Sequence, residues 1–323
     1  MLTRGGTTIA LAMFLLAAAA TPAYAGPSRY TVTDLGTLGG TGPTTAAAMN
    51  DSGAVVGTSD TGSGRHAFRW RGGVMTDLGT LPGTSRSEAY GINENGVVAG
   101  TSYRPTGEPR AVLWLRGRIV DLGLPRGHGL AVNDRGQVLA LTTGADGVTR
   151  RALWQYGRVT GLGAENDHQA AQGDLNNQGL ITMRFRADPA GPWQAGVQQA
   201  GPTRWHGPRS VRAVRVAEVA DIDDRNVLVG SARDLQGRIR PIGGPGDLGT
   251  LGGPHGAATV INDRGEVAGY ADTAAGDCRP VLWTQGRIVD LTTRGVPRGA
   301  AVVDLNTAGQ MVAADGRRAI FIG

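Results

Sequence analysis

A tight polar turn, preceded by small residues and followed by a β-branched run, returns seven times along the chain. Asn50-Asp51-Ser52-Gly53 recurs as Asn93-Glu94-Asn95-Gly96, Asn133-Asp134-Arg135-Gly136 and Asn176-Asn177-Gln178-Gly179, then as Asn262-Asp263-Arg264-Gly265 and Asn306-Thr307-Ala308-Gly309. Asp223-Asp224-Arg225-Asn226 is a degenerate copy. Successive first residues lie 43, 40, 43, 47, 39 and 44 positions apart. A period of about 40–45 residues accommodates four short strands and their connections. Asn at the first position caps a type I turn, and Gly at the fourth takes the left-handed conformation. In the degenerate copy Asp223 replaces the cap and Asn226 tolerates a positive φ.

Three other features keep phase with the turn. Before it stand small residues such as Ala46-Ala47-Ala48, Ala89-Tyr90-Gly91 and Ala257-Ala258. After it come runs such as Val55-Val56-Gly57 and Val97-Val98-Ala99-Gly100. A third run ends on Trp70, Trp114, Trp154 or Trp283, and a hairpin leads to a fourth that closes on Asp-Leu-Gly at Asp34, Asp77, Asp121 and Asp247, with Asp290-Leu291 a near match. Each unit therefore reads strand, tight turn, strand, loop, strand, turn, strand.

Strands that converge on a shared axis have least room there, so the Ala- and Gly-rich run marks the innermost strand. The Trp strand falls where neighbouring units diverge and a large ring fills the wedge. The chain ends complement each other: residues 30–36 are a fourth strand without the preceding three, and residues 318–322 a third strand without a fourth. The expected fold is all-β, a seven-bladed β-propeller of four-stranded blades over residues 26–323. Its last blade is closed by the N-terminal strand, with 30–34 pairing to 318–322 so that no sheet edge stays open. A linear solenoid, the other repeat architecture, would call for distinct end caps.

Composition narrows the class further. With 53 Gly and 16 Pro the chain is turn-rich, and its 40% apolar content suffices for a core. A single Cys excludes a disulfide scaffold and any paired-Cys zinc or redox site. All 32 basic residues are Arg, against 27 acidic ones. So complete a lack of Lys reads as codon bias; with no basic block, nucleic acid is not an expected partner. Arg4, the apolar residues 9–20 and Ala23-Tyr24-Ala25 have the pattern of a signal peptide over residues 1–25, cleaved after Ala25. No later apolar run approaches the length of a membrane span. The expectation is a secreted, monomeric protein.

Residues 34–40 and 247–253 read Asp-Leu-Gly-Thr-Leu-Gly-Gly, and residues 77–83 read Asp-Leu-Gly-Thr-Leu-Pro-Gly. Residues 92–100 and 261–269 read Ile-Asn-x-x-Gly-x-Val-x-Gly, and His66-Ala67-Phe68-Arg69-Trp70 precedes a hairpin. These motifs resemble the HAF-type extracellular repeat family of bacteria. The resemblance covers residues 30–322, close in the first, second and sixth units and weak in the fourth and fifth. It implies an exported β-rich repeat protein and carries over no activity and no site residues.

Candidate chemistry has to be sought where the units differ. The recurrent Asp of Asp-Leu-Gly and the Asn-x-x-Gly turns are structural by their repetition, since catalysis needs one site and not seven. No calcium loop, nucleophile elbow or phosphate loop is present. His128, His168 and His255 precede their turns by five, eight and seven residues, in the crossovers between blades. Coming from separate blades, they are expected to lie too far apart to share a metal ion. The unrepeated polar residues of these crossovers are Arg86, Glu88, Arg126, His128, Glu165, Asp167, His168, His255 and Arg298. Arg clamps carboxylates bidentately, so this face is expected to bind an anionic glycan or a partner protein, without cofactor and without turnover. The competing expectation is a propeller lyase or hydrolase acting at the axis mouth.

Overall fold

The computed structural model describes residues 26–164, 173–185, 194–199, 209–210, 216–244, 246–316 and 318–323. The proposed signal peptide lies outside them. Seven antiparallel sheets follow one another along the chain. The first runs Thr45–Met49, Val55–Asp60, Arg65–Arg71, Val74–Asp77, each strand paired to the next. Five others have the same four-stranded order. In the fourth sheet the described strands are Leu180–Phe185, Gln194–Gln199 and Arg209–Ser210, and Leu175 bridges Ile181 where an inner strand runs in the others. The units are the blades of a β-propeller.

The last blade has the predicted composite origin. Ala301–Leu305, Met311–Asp315 and Arg318–Ile322 supply three strands, and Val32–Asp34 pairs with the third as Val32↔Ile322, Thr33↔Phe321 and Asp34↔Ile320. Tyr30 and Leu35 flank this strand and are both buried.

The apolar core lies between blades. Trp70 packs with Val55 and Phe68 of its own blade and Val312 and Ala319 of the last one, its ring 5.1 Å from that of Phe321. Trp114 packs against Val56 and Ala67 of the first blade, and Trp283 against Val229 of the fifth. These three rings are each 4% exposed, as wedges should be. Trp154 departs from that expectation: it is only half-buried, at the edge of a cluster formed by Ala99, Leu113, Val132 and Val138.

The repeated polar residues have repeated structural tasks. Each turn Gly takes a positive φ, from 71° at Gly96 to 81° at Gly179, and Asn226 takes 67° in the degenerate copy. In the Asp-Leu-Gly motif one carboxylate oxygen accepts the N–H two residues on, at 2.9 Å for Asp34, 2.7 Å for Asp77 and 2.8 Å for both Asp121 and Asp247. The other oxygen faces a nitrogen-bearing side chain on the neighbouring strand: the His66 ring for Asp77, and the guanidinium of Arg110 for Asp121, Arg240 for Asp247 and Arg318 for Asp34. Asp290 faces Arg279 and caps the short 3-10 turn Leu291–Arg294. The Val-x-Gly pattern of the second strand has a steric cause. At Gly100 a Cβ would stand 2.1 Å from the Glu88 carbonyl oxygen, because the inner strand bulges beside it between Ala89 and Gly91.

Candidate functional site

All inner strands run from the crossover end of the propeller to the turn end, so the two mouths of the axial channel differ in chemistry. The channel encloses about 610 Å³, walled by the inner strands and floored by the turns.

At the turn end two rings of hydrogen bonds link the blades. In the first, the amide Nδ2 of the turn Asn donates to the carbonyl of the next turn's first residue: Asn50 to Asn93 at 3.1 Å, then Asn93 to Asn133, Asn133 to Asn176 and Asn176 to Asp223. It resumes from Asn262 to Asn306 at 2.9 Å and returns from Asn306 to Asn50 at 3.4 Å. The ring breaks where Asp223 has no amide to donate. In the second, the backbone N–H of the turn's second residue donates to the side chain of its successor: Asp51 to Glu94, Glu94 to Asp134, Asp134 to Asn177, Asn177 to Asp224 and Asp224 to Asp263. Thr307 donates to Asp51 at 2.8 Å. Thr307 has neither a carboxylate nor an amide oxygen to offer the Asp263 N–H, so this ring breaks one junction later than the first. Each break is spanned by the other ring.

Five carboxylates thus crowd the turn mouth: Asp51, Glu94, Asp134, Asp224 and Asp263. Burial, and then the neighbouring charges, push Glu94 and Asp263 above their ordinary values. Deeper in the channel, the position two residues before the turn is Ala48, Gly91, Ala131 or Val260 in four blades but Asp174, Asp221 and Asp304 in the others. Asp221 Oδ2 accepts the Ile261 N–H of the next blade at 2.8 Å, and Asp304 Oδ2 that of Met49 at 2.7 Å. These side chains staple the inner strands of adjacent blades. Burial, with Asp174 beside it, pushes Asp221 well up.

Asp304 is pushed up to about 6 by burial, against the opposing pull of the Met49 and Leu305 N–H groups. Its effect on stability has a definite sign. Below the unfolded-chain value of about 3.8 the carboxyl is protonated in both states. Between there and about 6 only the folded protein keeps the proton, so stability falls as pH rises through that window and levels off above it. The expected contribution is about 1–3 kcal/mol. Melting curves of wild type and Asp304→Asn should diverge as pH is changed from 4 to 7; parallel curves would remove Asp304 as the titrating group.

The crossover mouth is where the sequence-predicted residues stand. Arg86, Glu88 and His128 converge between the second and third blades. The Glu88 carboxylate accepts from Arg86 Nη2, from Tyr90 Oη and from Tyr103 Oη, the last at 2.7 Å. The Arg86 guanidinium stacks 4.4 Å above the Tyr103 ring. His128 Nδ1 lies 3.3 Å from Thr101 Oγ1, with its ring edge-on to Tyr103. Burial pushes Glu88 up, but the three hydrogen bonds outweigh it and hold the carboxyl below its ordinary value. Burial and the Glu88 contact raise the Tyr103 phenol to about 12 and raise Tyr90 further. Burial lowers His128, which is therefore neutral at pH 7.

The other candidates do not join this cluster. Arg126 and Arg298 are exposed at the starts of their inner strands, without hydrogen bond or ion pair among the described residues. His255 Nδ1, on the sixth blade, accepts the Ile239 N–H at 3.1 Å, three blades from the Glu88 cluster. Glu165, Asp167 and His168 lie outside the described residues. No group of three His, Cys, Asp or Glu side chains among the described residues is placed to hold a metal ion. Tyr90 and Tyr103 were not among the candidates, although Tyr90 is the single bulky residue in a position that is Ala47, Leu130, Gly173, Ala220, Thr259 or Val303 elsewhere. That break in the small-residue pattern was a readable signal. Tyr103 carried none, because its role depends on a pairing partner 15 residues away.

No family model matches the chain, and no curated protein matches it in sequence. Solved structures do match in shape. A puromycin-hydrolyzing peptidase of Mycobacterium tuberculosis is 18% identical with a TM-score of 0.54, over 88% of this chain and 50% of that one. The β-propeller domain of the Trilobed protease from Pyrococcus furiosus is 10% identical with a TM-score of 0.53, over 87% and 95%. TolB from Acinetobacter baumannii is 13% identical with a TM-score of 0.42, over 62% and 52%. The chain thus spans about half the length of the peptidase and of TolB. The likeness to the Pyrococcus propeller domain agrees with the propeller fold seen here. The Pyrococcus domain has an open velcro topology, whereas here Val32–Asp34 completes the last blade.

Proposed function

We propose that the protein is a secreted binding propeller that engages an anionic ligand, a glycan or a partner protein, through its crossover face. The observation that carries this reading is the interlocked cluster at that mouth. Arg86 is fixed by Glu88 and Tyr103, the two phenols are locked in their protonated state, and His128 is neutral. Such a set is a rigid polar wall with its cation pre-oriented, which lowers the entropy cost of binding. It lacks what turnover would use: Glu88 is occupied by three donors and its lowered pKa makes it a poor base. Exposed Arg126 and Arg298 extend the basic character around the same mouth. The opposite mouth, with its five carboxylates, repels an anion.

Export belongs to the same reading and rests on the pattern of residues 1–25, as the HAF-type resemblance rests on the repeat motifs. Changing Arg86, Arg126 and Arg298 together to Ala should weaken capture of acidic glycans on an array at least tenfold, because each lost charge-assisted contact is worth about 1.5–3 kcal/mol. A matched pair on the turn face, Arg135→Ala with Arg264→Ala, should leave it unchanged. Equal loss from both sets would reduce the effect to diffuse positive charge, and measured turnover of a bound glycan would establish the lyase or hydrolase reading.

A further inference from the structure

The third strand of each blade carries, just before the Trp position, a side chain directed at the next blade. Strand register places Leu113, Leu153, Val197, Gly243, Leu282 and Phe321 there in six blades. None is polar, and Leu113, Leu153 and Leu282 are buried. In the first blade the residue is Arg69, and it is exposed. The seam between the first and second blades is correspondingly open, as a groove of about 330 Å³. Among the described residues, neither Arg69 nor Arg71 makes a hydrogen bond or an ion pair.

We propose that this groove is a second binding site, for a single sugar-acid residue. Arg69 and Arg71 project from the same face of one strand, about 6.5–7 Å apart along it, and opposite them on the outer strand stand Thr76 and Val74. Ser52 of the first turn and Asn95 of the second complete the walls. The two guanidiniums suit one carboxylate bidentately. Ser52, Thr76 and Asn95 offer hydroxyl and amide partners for sugar hydroxyls, and Val74, 65% exposed, offers an apolar surface for a ring face. Glu94 is the one acidic wall residue, and its Oε1 is already engaged by the Asp51 N–H. The groove keeps a net positive charge, and its volume is that of a small ligand pocket.

The test is an NMR titration of the full chain with methyl glucuronide, following amides of residues 69–76 and 94–96. Wild type should bind, while Arg69→Leu, which installs the side chain used by three other blades, should bind at least tenfold more weakly with an unchanged or higher melting temperature. Arg71→Ser should weaken binding in the same direction. Methyl glucoside, the neutral counterpart, should not bind. The crossover triple Arg86→Ala, Arg126→Ala, Arg298→Ala should leave this titration unaltered, so the two sites stand or fall separately. Equal binding by wild type and Arg69→Leu, no shifts in the groove at millimolar glucuronide, or displacement by equimolar inorganic sulfate would each overturn the assignment.

Discussion

A chain lacking residues 26–36 is expected to lose at least about 5 kcal/mol of stability, from the burial of Tyr30 and Leu35 and the strand hydrogen bonds that go with them. Tyr30 belongs to the core shared by the sixth and seventh blades, with Leu291, Val296 and Ile320. Leu35 belongs to the core between the seventh and first, with Trp70 and Phe68. One short segment therefore serves both flanks of the last blade. Its loss also bares the backbone of Arg318–Ile322, an apolar strand edge of the kind that invites pairing between molecules. Thermal unfolding and size-exclusion chromatography of the shortened chain would check this; an unchanged melting curve and a monomeric profile would show that the segment adds nothing to closure.

Trp114→Ala should cost about 3–5 kcal/mol, the range for removing a buried aromatic ring. The ring fills the wedge against Val56, Ala67 and Ala89, and its Cζ3 packs close over Gly100, so the blades cannot collapse into the space without moving a strand. Trp114→Phe should cost much less, because the buried Trp114 Nε1 has no hydrogen-bond partner to lose. Trp283 makes the contrast. Its Nε1 donates to the half-buried Gly249 carbonyl at 3.1 Å, so Trp283→Phe loses that bond and should cost about 0.5–1.5 kcal/mol more than Trp114→Phe. Urea denaturation of the three variants would rank them; equal costs for the two Phe variants would mean that the Gly249 bond does not contribute.

The architecture was legible because the repeat is written in residue types with a single physical task. Gly at a positive φ, small residues on the crowded inner strand and Trp in the wedge each appear once per unit, and the unpaired strands at the two ends identify each other. Trp154 was harder to place, since the ring's burial depends on what the neighbouring blade presents to it. The site was legible in part. Arg86, Glu88 and His128 were picked out because they break the repeat near the crossover, and they do meet. Asp174, Asp221 and Asp304 also break the repeat. All three stood inside runs expected to be featureless; only the bulge, which frees an N–H on the next blade, gives the Asp221 and Asp304 carboxylates a use. Arg69 was hidden inside the motif that identified the unit, and the register of seven sheets was needed to show that its place is apolar elsewhere.

The amide relay at the turns has a bearing on how such a chain can change length. Every link passes from a donor in one blade to an acceptor in the next, always in the same rotational sense, so each unit ends with the half-bond that the following unit completes. Gene duplication or loss of a whole unit would join compatible ends wherever the following turn keeps an Asp, Glu or Asn at its second position, as all but the Thr307 turn do. The turns are therefore indifferent to how many units there are. What counts them is the angle between neighbouring blades, set by the volume of the side chains wedged between, and substitutions at Trp70, Trp114 and Trp283 are the changes through which selection could make a ring of six or eight.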